Sequence, residues 1–435
     1  MRIFRTRRAF GAVALALAGA LTLSACGGGS DAGQELSDEA VTLRFTWWGS
    51  DARHQRTQQV IELFQKEHPN ITVKGEFKDW NGYWESLATT VAANDAPDII
   101  QMDELYLASY AERGALLDLG TATKHLTTGD FDKEALATGQ VDGKQYGLPV
   151  GLSAYAMVVN TDLLAQYKVT PPDDNSWNWA DLKSIGEQIS KASGGKVTGV
   201  QAFGFDAGSL NIWARQNGAS LYDSKGDVAI PPAVLASFWS YLLDLTKSGA
   251  APEASVTIER ASASLDQSGT ATNASAFGTW WNTQLTSLAA ASGSKLQLLK
   301  MPGEATAGSP GSYYKPSMFW SVSSRSKHPA EAALFVDFLA NNDAAAKVML
   351  TDRGVPANTK IRATITPQLE ETDKAAVAYL DALKVGPAPR VTPNGASSVE
   401  TILKRHTEDV LFGRATPDQA AAAFIKELQA EIDGA

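Results

Sequence analysis

The stretch VTLRFTWWGSDARHQRTQQVIELFQKEHPNITVKGEFKDWNGYWESLATTVAANDAPDIIQM, residues 41–102, decides the fold class of this protein. Its first residues, 41–45, alternate between apolar and polar side chains, as in a strand with one buried face. Residues 71–77 show a similar alternation, and residues 97–102 form a short apolar run that is typical of a buried strand. The stretch therefore predicts three strands.

Two predicted helices separate these strands. Val60 and Phe64 lie at helical spacing within residues 53–67, which predicts the first helix. Residues 83–93 again place apolar side chains on one face and predict the second. Strands that alternate with helices in this way predict an open, largely parallel sheet with helices packed on its faces.

Length and composition narrow the class of protein. The chain has 435 residues, which predicts two or three domains. Hydrophobic residues make up 44% and charged residues 20%, which is the composition of a folded protein. The formal net charge of -10 speaks against a nucleic-acid-binding protein, which needs a basic face. One Cys and five His exclude a Cys-rich zinc module, and we expect neither a metal nor another cofactor.

Residues 1–25 have the features of an export signal. Arginines without any acid precede an apolar run over residues 10–23, which is too short to span a bilayer. Residues 6–10 resemble the twin-arginine export motif. Arginine-rich signals of the general secretory route begin in a similar way, so both export routes stay open.

The only cysteine of the chain, Cys26, follows Leu23-Ser24-Ala25. This segment resembles a bacterial lipobox, which implies that Cys26 becomes the first residue and carries a diacylglycerol on its thiol. The alternative is a free thiol in an ordinary signal peptide. Residues 26–40 are rich in Gly, Ser and acids and are predicted to form a flexible tether. We therefore expect an exported protein that is anchored by lipid to the outer face of the cell membrane.

Candidate ligand-binding residues follow the ends of the predicted strands. In open parallel sheets, ligands bind beyond the carboxyl ends of the strands. Trp47, Trp48 and Asp51 end or follow the first strand, and Gln101 and Asp103 end or follow the third. These five residues are therefore predicted to share one rim of the sheet.

A second α/β unit is predicted farther along the chain. The polar, Gly-punctuated residues 139–147 lead to a crossing between domains near Leu148, and residues 313–318 predict another crossing. Apolar residues at helical spacing predict late helices over residues 329–340 and 420–432.

Six segments, in order along the chain, resemble the extracytoplasmic solute-binding proteins of ABC importers, in the large carbohydrate-binding family 1. They are FQKEHPNI (64–71), APDII (96–100), GALLDL (114–119), YGLP (146–149), KHPAEAA (327–333) and GVPA (354–357). None of these segments is specific alone, but six in order behind a lipobox-like segment are, and the similarity covers nearly all of the exported part.

The resemblance implies an α/β fold of the periplasmic-binding-protein type (type II), in which hinge strands join two lobes around a ligand cleft. One lobe would comprise residues 41–148 and 317–351, and the other residues 149–316 and 352–435. The chain would cross between the lobes more than once, and the lobes would close around the ligand by hinge motion.

The candidate residues are of the types that bind a sugar. Aromatic rings cover the C–H faces of a pyranose, and planar polar side chains bond its hydroxyls, with carboxylates making the stronger charge-assisted bonds. With the resemblance, the predicted ligand-binding residues are Trp47, Trp48, Asp51, Trp80, Trp84, Glu85, Gln101, Asp103, Asp206, Asn211, Trp213, Trp280, Trp281, Tyr313 and Tyr314.

These residues also have structural interpretations. A Trp is commonly a core residue, and on extended backbone the two side chains of a Trp-Trp pair point to opposite faces, so one of each pair is expected in the cleft. Asp51 and Asp103 would otherwise cap helices. The cations that could bind an acidic sugar are Arg53, Lys78, Arg215, Lys315 and Arg353. Each of them has a surface salt bridge as the alternative, so no uronate is predicted.

The sequence thus predicts a binding protein and not an enzyme. It would capture a sugar or oligosaccharide outside the membrane and deliver it to the permease subunits of an ABC importer. The expected partners are that carbohydrate, the permease and, through the lipid anchor, the membrane; we expect a monomer that binds no nucleic acid. Two alternatives stay open: a lipid-anchored glycoside hydrolase with two carboxylates across a cleft, and a binding protein for another solute, such as a glycerophosphodiester or a peptide.

Overall fold

The computed structural model describes residues 35–261 and 264–435. The predicted signal peptide, Cys26 and most of the predicted tether lie outside these residues. Within the described ranges, no helix is both long and apolar enough to cross a membrane.

The strands of the described residues fall into two main sheets and one short hairpin. In chain order they are β1 Val41–Trp48, β2 Ile71–Lys78, β3 Ile99–Met102, β4 Gln140–Val141, β5 Lys144–Gln145, β6 Leu148–Ser153, β7 Tyr155–Asn160, β8 Thr198–Val200, β9 Ser275–Trp281, β10 Leu296–Leu299, β11 Lys315–Val322 and β12 Val355–Pro356.

The α-helices of the described residues surround both sheets. They are α1 Asp51–Glu67, α2 Trp80–Ala92, α3 Glu104–Glu112, α4 Lys133–Ala137, α5 Thr161–Gln166, α6 Trp179–Ala192, α7 Ala207–Gln216, α8 Pro232–Lys247, α9 Ala254–Ala261, α10 Leu285–Ser292, α11 Pro329–Asn341, α12 Asp343–Met349, α13 Thr359–Ile365, α14 Glu371–Ala382, α15 Val399–Leu411 and α16 Pro417–Asp433.

The first sheet has the spatial order β12-β6-β11-β3-β1-β2. β1 runs parallel to β2 and to β3, with Val41 opposite Ile71 and Phe45 opposite Ile99. These are the three strands predicted from residues 41–102, so the predicted parallel unit is confirmed. β11 lies antiparallel between β3 and β6 and brings a late part of the chain into the middle of this sheet.

The second sheet has the order β10-β7-β9-β8. β9 lies antiparallel to β7, with Trp280 opposite Ala156 and Trp281 opposite Tyr155. Only Ala154 separates β7 from β6 of the first sheet, so the chain passes from one sheet to the other at this residue. Each sheet has a hydrophobic core of its own, and the two cores define a first and a second lobe. This is the predicted two-lobed α/β fold.

The predicted lobe boundaries are wrong in two places. β6, predicted for the second lobe, pairs with β11 and β12 in the first sheet. Buried side chains of residues 355–383, also predicted for the second lobe, belong to the same core as β1. Helical periodicity shows that a helix such as α14 has an apolar face but not which sheet covers it, so the sequence pattern could not assign these residues.

The chain returns from the second sheet to the first between β10 and β11, and a third passage between the lobes follows α14. Residues 384–395 have no helix or strand, while Leu383 belongs to the first core and Ala396 to the second. The main-chain N–H of Gly386 donates to the Ser312 carbonyl at 3.0 Å, which holds this passage beside the residues that precede β11. This passage was not predicted, although five of its residues are Pro or Gly: Gly386, Pro387, Pro389, Pro393 and Gly395.

A buried arginine ties α1 to the first sheet. The side chain of Arg353 is 3% exposed; its Nε donates to Gln101 Oε1 at 3.0 Å and its Nη2 to Thr57 Oγ1 at 2.9 Å. Burial and the nearby Arg53 lower the pKa of the Arg353 guanidinium to about 9, so the group is still charged at neutral pH. The cation is therefore buried, and its partners are polar groups of two separate elements.

Candidate functional site

A cavity of about 460 Å³ lies between the two lobes. The first lobe contributes Glu104 and Thr138, the second lobe contributes α7 and residues 218–222, and the third passage contributes residues 387–392. Residues of both lobes thus form its walls, so a molecule bound there would contact both. We call this space the interlobe cavity.

Lys315 occupies a central position on the wall of the interlobe cavity. Its Nζ lies 2.6 Å from Glu104 Oε1 and 5.7 Å from the centre of the Trp281 ring. Burial alone would lower the pKa of the Lys315 ammonium, but the carboxylates of Glu104, Asp103 and Glu400 together outweigh burial and raise this pKa. Lys315 therefore carries its charge at neutral pH and links the first-lobe helix α3 to an aromatic side chain of the second lobe.

Trp281 is held between this cation and a tyrosine. The Tyr155 ring meets the Trp281 ring edge to face, with 4.4 Å between their centres. The Tyr155 hydroxyl interacts with the Asp206 carboxylate, which accepts from the Ser209 N–H at 3.1 Å as the N-cap of α7. Burial raises the pKa of the Asp206 carboxyl. These contacts fix the orientation of Trp281 before any ligand binds.

Arg215 and Tyr313 form another part of the wall. The Arg215 guanidinium lies 5.5 Å from the centre of the Tyr313 ring, and it donates to the carbonyls of Gly311 at 2.9 Å and Pro387 at 2.8 Å. The Asn211 side chain interacts with the Tyr313 hydroxyl. Arg215 thus holds the third passage against the second lobe.

The charges on the walls of the interlobe cavity nearly balance. Glu104 and Glu400 provide two carboxylates, while Arg215, Lys315 and Arg390 provide three cations. Asp103 and Asp206 immediately precede the wall residues Glu104 and Ala207. A site with both signs in similar numbers suits a neutral polar molecule, because a polyanion or polycation would face repulsion from half of it.

Asp103 lies at the N-terminus of α3, beside the Lys315–Glu104 ion pair. Its Oδ1 accepts from the Leu105 N–H at 3.0 Å, so it is the N-cap of the helix. Burial, and secondly the Glu104 carboxylate, raise the pKa of the Asp103 carboxyl to about 6. The folded protein therefore binds this proton more tightly than the unfolded chain does.

We expect this carboxyl to make stability depend on pH. Because the pKa of Asp103 is higher in the folded protein, the free energy of unfolding falls as the pH rises from about 4 to about 6. Above pH 6 the carboxyl is ionised and the whole of this loss of stability is present. Asp103→Asn keeps a good N-cap and removes the charge, so it should stabilise the protein at pH 7 by about 1–2 kcal/mol and leave stability below pH 4 unchanged. Urea unfolding across this pH range measures both values.

Asp79→Asn is the matched control, because Asp79 is also an N-cap whose carboxylate accepts from a main-chain N–H, on α2 and at an exposed position. This control should keep the pH profile of the wild type. An Asp103→Asn profile that parallels the wild type at every pH would contradict the proposed titration.

A second cavity, of about 360 Å³, adjoins the first within the second lobe. Trp281 lines both cavities, whereas Trp280 lines only the second. Asp206 also lines the second cavity, and the next residue, Ala207, lines the first. The two spaces therefore meet at the end of β9 and the start of α7.

An aromatic cluster lies on the first lobe, at the carboxyl end of β1. Trp48 contacts Trp80 and Trp84 with 5.1 and 5.7 Å between ring centres, and Trp84 contacts Tyr106 of α3 at 4.1 Å. Trp80 is 39% exposed, so the cluster presents an aromatic face to solvent. It lines neither cavity in this arrangement of the lobes, and a role for Trp48, Trp80 and Trp84 in binding stays a prediction.

The structure brings several of the predicted residues to the two cavities. Asn211, Trp281, Tyr313 and Tyr314 line the interlobe cavity, and Asp206, Trp280 and Trp281 line the second one. Asp103 precedes Glu104 on the wall of the first cavity. Asp51 and Glu85 are exposed on α1 and α2 and line neither.

Two predictions from the end of β1 and β3 are wrong. Trp47 is 0% exposed and lies in the core of the first lobe, against Phe45 and Phe77, so it is the member of its pair that points inward. Gln101 is also 0% exposed; its Nε2 donates to the Trp48 carbonyl at 3.2 Å and its Oε1 accepts from Arg353. Both side chains are used in internal packing and cannot reach a ligand in the cleft.

The predicted role of Trp213 is also wrong. Its ring packs against Trp179 and Tyr241 at 5.3 and 5.2 Å between centres, and its Nε1 donates to Ser237 Oγ at 3.0 Å. It lines neither cavity. Trp213 lies on the face of α7 opposite the cavity side, two positions from Asn211, which explains why sequence proximity was misleading.

Sequence reasoning missed several cavity residues. Tyr155, Glu104, Glu400 and Arg390 line the cavities but were not predicted to bind ligand. A local signal existed for Glu104, which follows a candidate at a strand end. The others come from a second strand, a late helix and the third passage, and only the folded chain brings them together.

The described ranges hold no group of three or more His, Cys, Asp or Glu side chains that could bind a metal ion.

The sequence and the fold are both similar to those of known proteins. The profile of the family described as "Bacterial extracellular solute-binding protein" matches residues 59–378. The fold is similar to the solved structure of an extracellular solute-binding protein of family 1 from Alicyclobacillus acidocaldarius, with a TM-score of 0.76, 29% identity, and coverage of 91% of this chain and 99% of that one.

Curated relatives match a smaller part of the chain. The diacetylchitobiose-binding protein DasA of Streptomyces coelicolor is 27% identical over 183 residues, which are 40% of this chain and 42% of DasA. An uncharacterized lipoprotein of Streptomyces antibioticus is 25% identical over 173 residues, 39% of this chain and 37% of that protein. The matches to the curated relatives thus span about a third to two fifths of their lengths.

Proposed function

The chain belongs to the bacterial extracellular solute-binding proteins, and from this premise we propose that it captures a neutral sugar outside the membrane and delivers it to the permease of an ABC importer. The observation that carries the proposal is the interlobe cavity, in which the half-buried Trp281 ring lies among groups that can bond hydroxyls. A sugar-binding site needs both an aromatic ring and polar groups, because the C–H faces of a sugar are apolar and its hydroxyls are polar.

The interlobe cavity has walls from both lobes, which supports a mechanism of reversible capture. Sugar would first bind on one lobe, and hinge motion at Ala154, at the start of β11 and at residues 384–395 would bring the other lobe against it. The side chains of Glu104 on the first lobe and of Trp281 and Asn211 on the second would then contact the same molecule. Closure removes water from these groups, which strengthens each hydrogen bond.

The near balance of charge favours a neutral sugar over a uronate. Two of the cations that could bind an acidic sugar, Arg53 and Arg353, contact Asp352 at 2.9 and 3.3 Å and do not line the interlobe cavity. Lys315 is neutralised by Glu104. Of the other two, Lys78 lines neither cavity, and Arg215 directs its donors to main-chain carbonyls.

We further propose that the protein performs no chemistry on the sugar and that Cys26 anchors it by lipid to the outer face of the cell membrane. The family supports the first point, because its members are named for binding. The second point follows from the lipobox-like segment and is supported by the lipoprotein among the relatives.

A capture experiment tests the proposed function. The immobilised protein is incubated with mixed oligosaccharide hydrolysates of plant and microbial polysaccharides, together with glycerophosphocholine and trialanine, and then washed and denatured. Mass spectrometry of the released molecules should find neutral saccharides of unchanged mass, and the supernatant should gain no reducing ends. Release of only the glycerophosphodiester or the peptide, or release of no saccharide, would contradict the proposal, and new reducing ends would indicate a hydrolase.

A further inference from the structure

The second cavity lies where a molecule in the interlobe cavity can continue. Trp281 forms part of both walls, and the carboxylate of Asp206 and the first turn of α7 lie at the boundary. A ligand that contacts the Trp281 ring in the first space thus lies within one side chain of the second space. Both volumes fall within or near the range of small-molecule sites.

Trp280 is held in place on the wall of the second cavity by a short chain of hydrogen bonds. Its Nε1 donates to Thr270 Oγ1 at 3.0 Å, and the Thr270 hydroxyl donates to Gln201 Oε1 at 3.1 Å. The Thr270 N–H also donates to Gln201 Oε1, at 2.9 Å. Because the carbonyl oxygen of the Gln201 amide is bonded twice on this side, the orientation of its Nε2 is fixed.

Three donor groups on this wall have no hydrogen-bond partner in the described ranges. The first is Gln201 Nε2. The second is the Nε2 of Gln284, whose Oε1 accepts from the Trp281 N–H at 3.1 Å. The third is the Arg260 guanidinium, which makes no ion pair with a described residue and is half-buried beside the cavity. Polar groups at a cavity surface that are oriented but unpaired are suited to bond a ligand.

We propose that the second cavity is a separate subsite that takes a further sugar unit of the ligand, with Trp280 against the ring of that unit and Gln201, Gln284 and Arg260 donating to its oxygens. This inference rests on the proposed function and assigns the two adjacent tryptophans different tasks. Trp281 contacts the ligand at any length, whereas Trp280 contributes only when the ligand has a second unit.

A chain-length series tests the subsite. The probes are glucose, cellobiose and cellotriose; N-acetylglucosamine, diacetylchitobiose and triacetylchitotriose; and arabinose, arabinobiose and arabinotriose, together with any saccharide released in the capture experiment in its one-, two- and three-unit forms. Titration calorimetry measures each affinity for the wild type and for Trp280→Ala and Arg260→Gln. Trp213→Ala is the matched control, since it removes a half-buried indole of the same lobe that lines neither cavity.

In the series that binds, the wild type should gain at least about tenfold in affinity from one unit to two. Trp280→Ala should remove most of this gain and leave the affinity for one unit within about twofold, and Arg260→Gln should reduce the gain by about threefold to tenfold. Trp213→Ala should keep the wild-type gain. Arg260→Gln replaces a half-buried side chain at the end of α9, so it also serves as the test if Trp280→Ala does not fold.

Different failures have different meanings. Equal affinity of the wild type for one and two units, an unchanged two-unit affinity in both variants, or equal losses for both lengths in folded Trp280→Ala would overturn the second subsite and leave the proposed function standing. Binding of no saccharide of any length would overturn the proposed function and, with it, the subsite.

Discussion

Trp281→Ala is expected to weaken binding of the captured saccharide by about 30-fold to 1,000-fold, which corresponds to about 2–4 kcal/mol. Trp281 is the aromatic side chain that lines both cavities, and its ring is already held by Tyr155 and Lys315. A rigid, pre-oriented ring loses little entropy when it meets a sugar face, so its removal loses nearly the whole contact.

The loss should appear in affinity and not in folding. Trp281 is half-buried at the end of β9, whereas the core of that strand is formed by residues such as Phe277, which is 0% exposed. Titration calorimetry gives the affinity, and thermal unfolding without ligand reports the fold. Trp213→Ala is again the control: it should lower the melting temperature but change affinity less than twofold. An affinity of Trp281→Ala within threefold of the wild type would remove this ring from the site.

Arg353→Met is expected to lower the free energy of unfolding by about 3–5 kcal/mol. Arg353 is enclosed beneath α1, where it donates to Gln101 and Thr57. Methionine fills much of the same volume but leaves the Gln101 carbonyl oxygen buried without its donor, and it leaves Asp352 with one cation fewer. An unpaired buried polar group costs more than the pair contributed.

Urea unfolding measures this change, and Arg56→Met is the matched control. Arg56 is also an arginine beside Asp352, at 3.4 Å, but its side chain is 43% exposed. Because exposed ion pairs contribute little, this control should lose less than about 1 kcal/mol. A loss below about 1 kcal/mol for Arg353→Met would contradict the structural role of the buried network. Saccharide affinity of the folded variant should stay within twofold, since Arg353 lines neither cavity.

Local patterns were sufficient for the elements of the first sheet. Alternating or continuous apolar residues in residues 41–102 predicted β1, β2 and β3, and their parallel pairing is confirmed. These strands succeed one another with one helix between each pair, so their arrangement depends on neighbours in the chain. Of the five residues predicted at the strand ends, Asp103 lies next to a wall residue of the interlobe cavity, Glu104, whereas Trp47 and Gln101 are enclosed in the first lobe.

The same patterns could not distinguish the members of a pair or the partners of distant elements. Side chains on a strand alternate between faces, so one of Trp47 and Trp48 had to point inward, but nothing local shows which face the core covers. The third passage likewise depends on contacts between residues far apart in the chain. So does the packing of residues 355–383 in the core of the first lobe.

The sequence by itself thus determined the class of fold, the order of its first elements and the kinds of side chain offered to a ligand. These depend on periodicity, which is a property of consecutive residues. Only the tertiary structure decided which side chains are available. Gln101 is enclosed by Arg353, which lies 252 positions away in the chain, and Trp281 faces the cavity because Lys315 and Tyr155 come from other strands. Burial is decided by what packs against a residue, and that partner is seldom its neighbour in sequence.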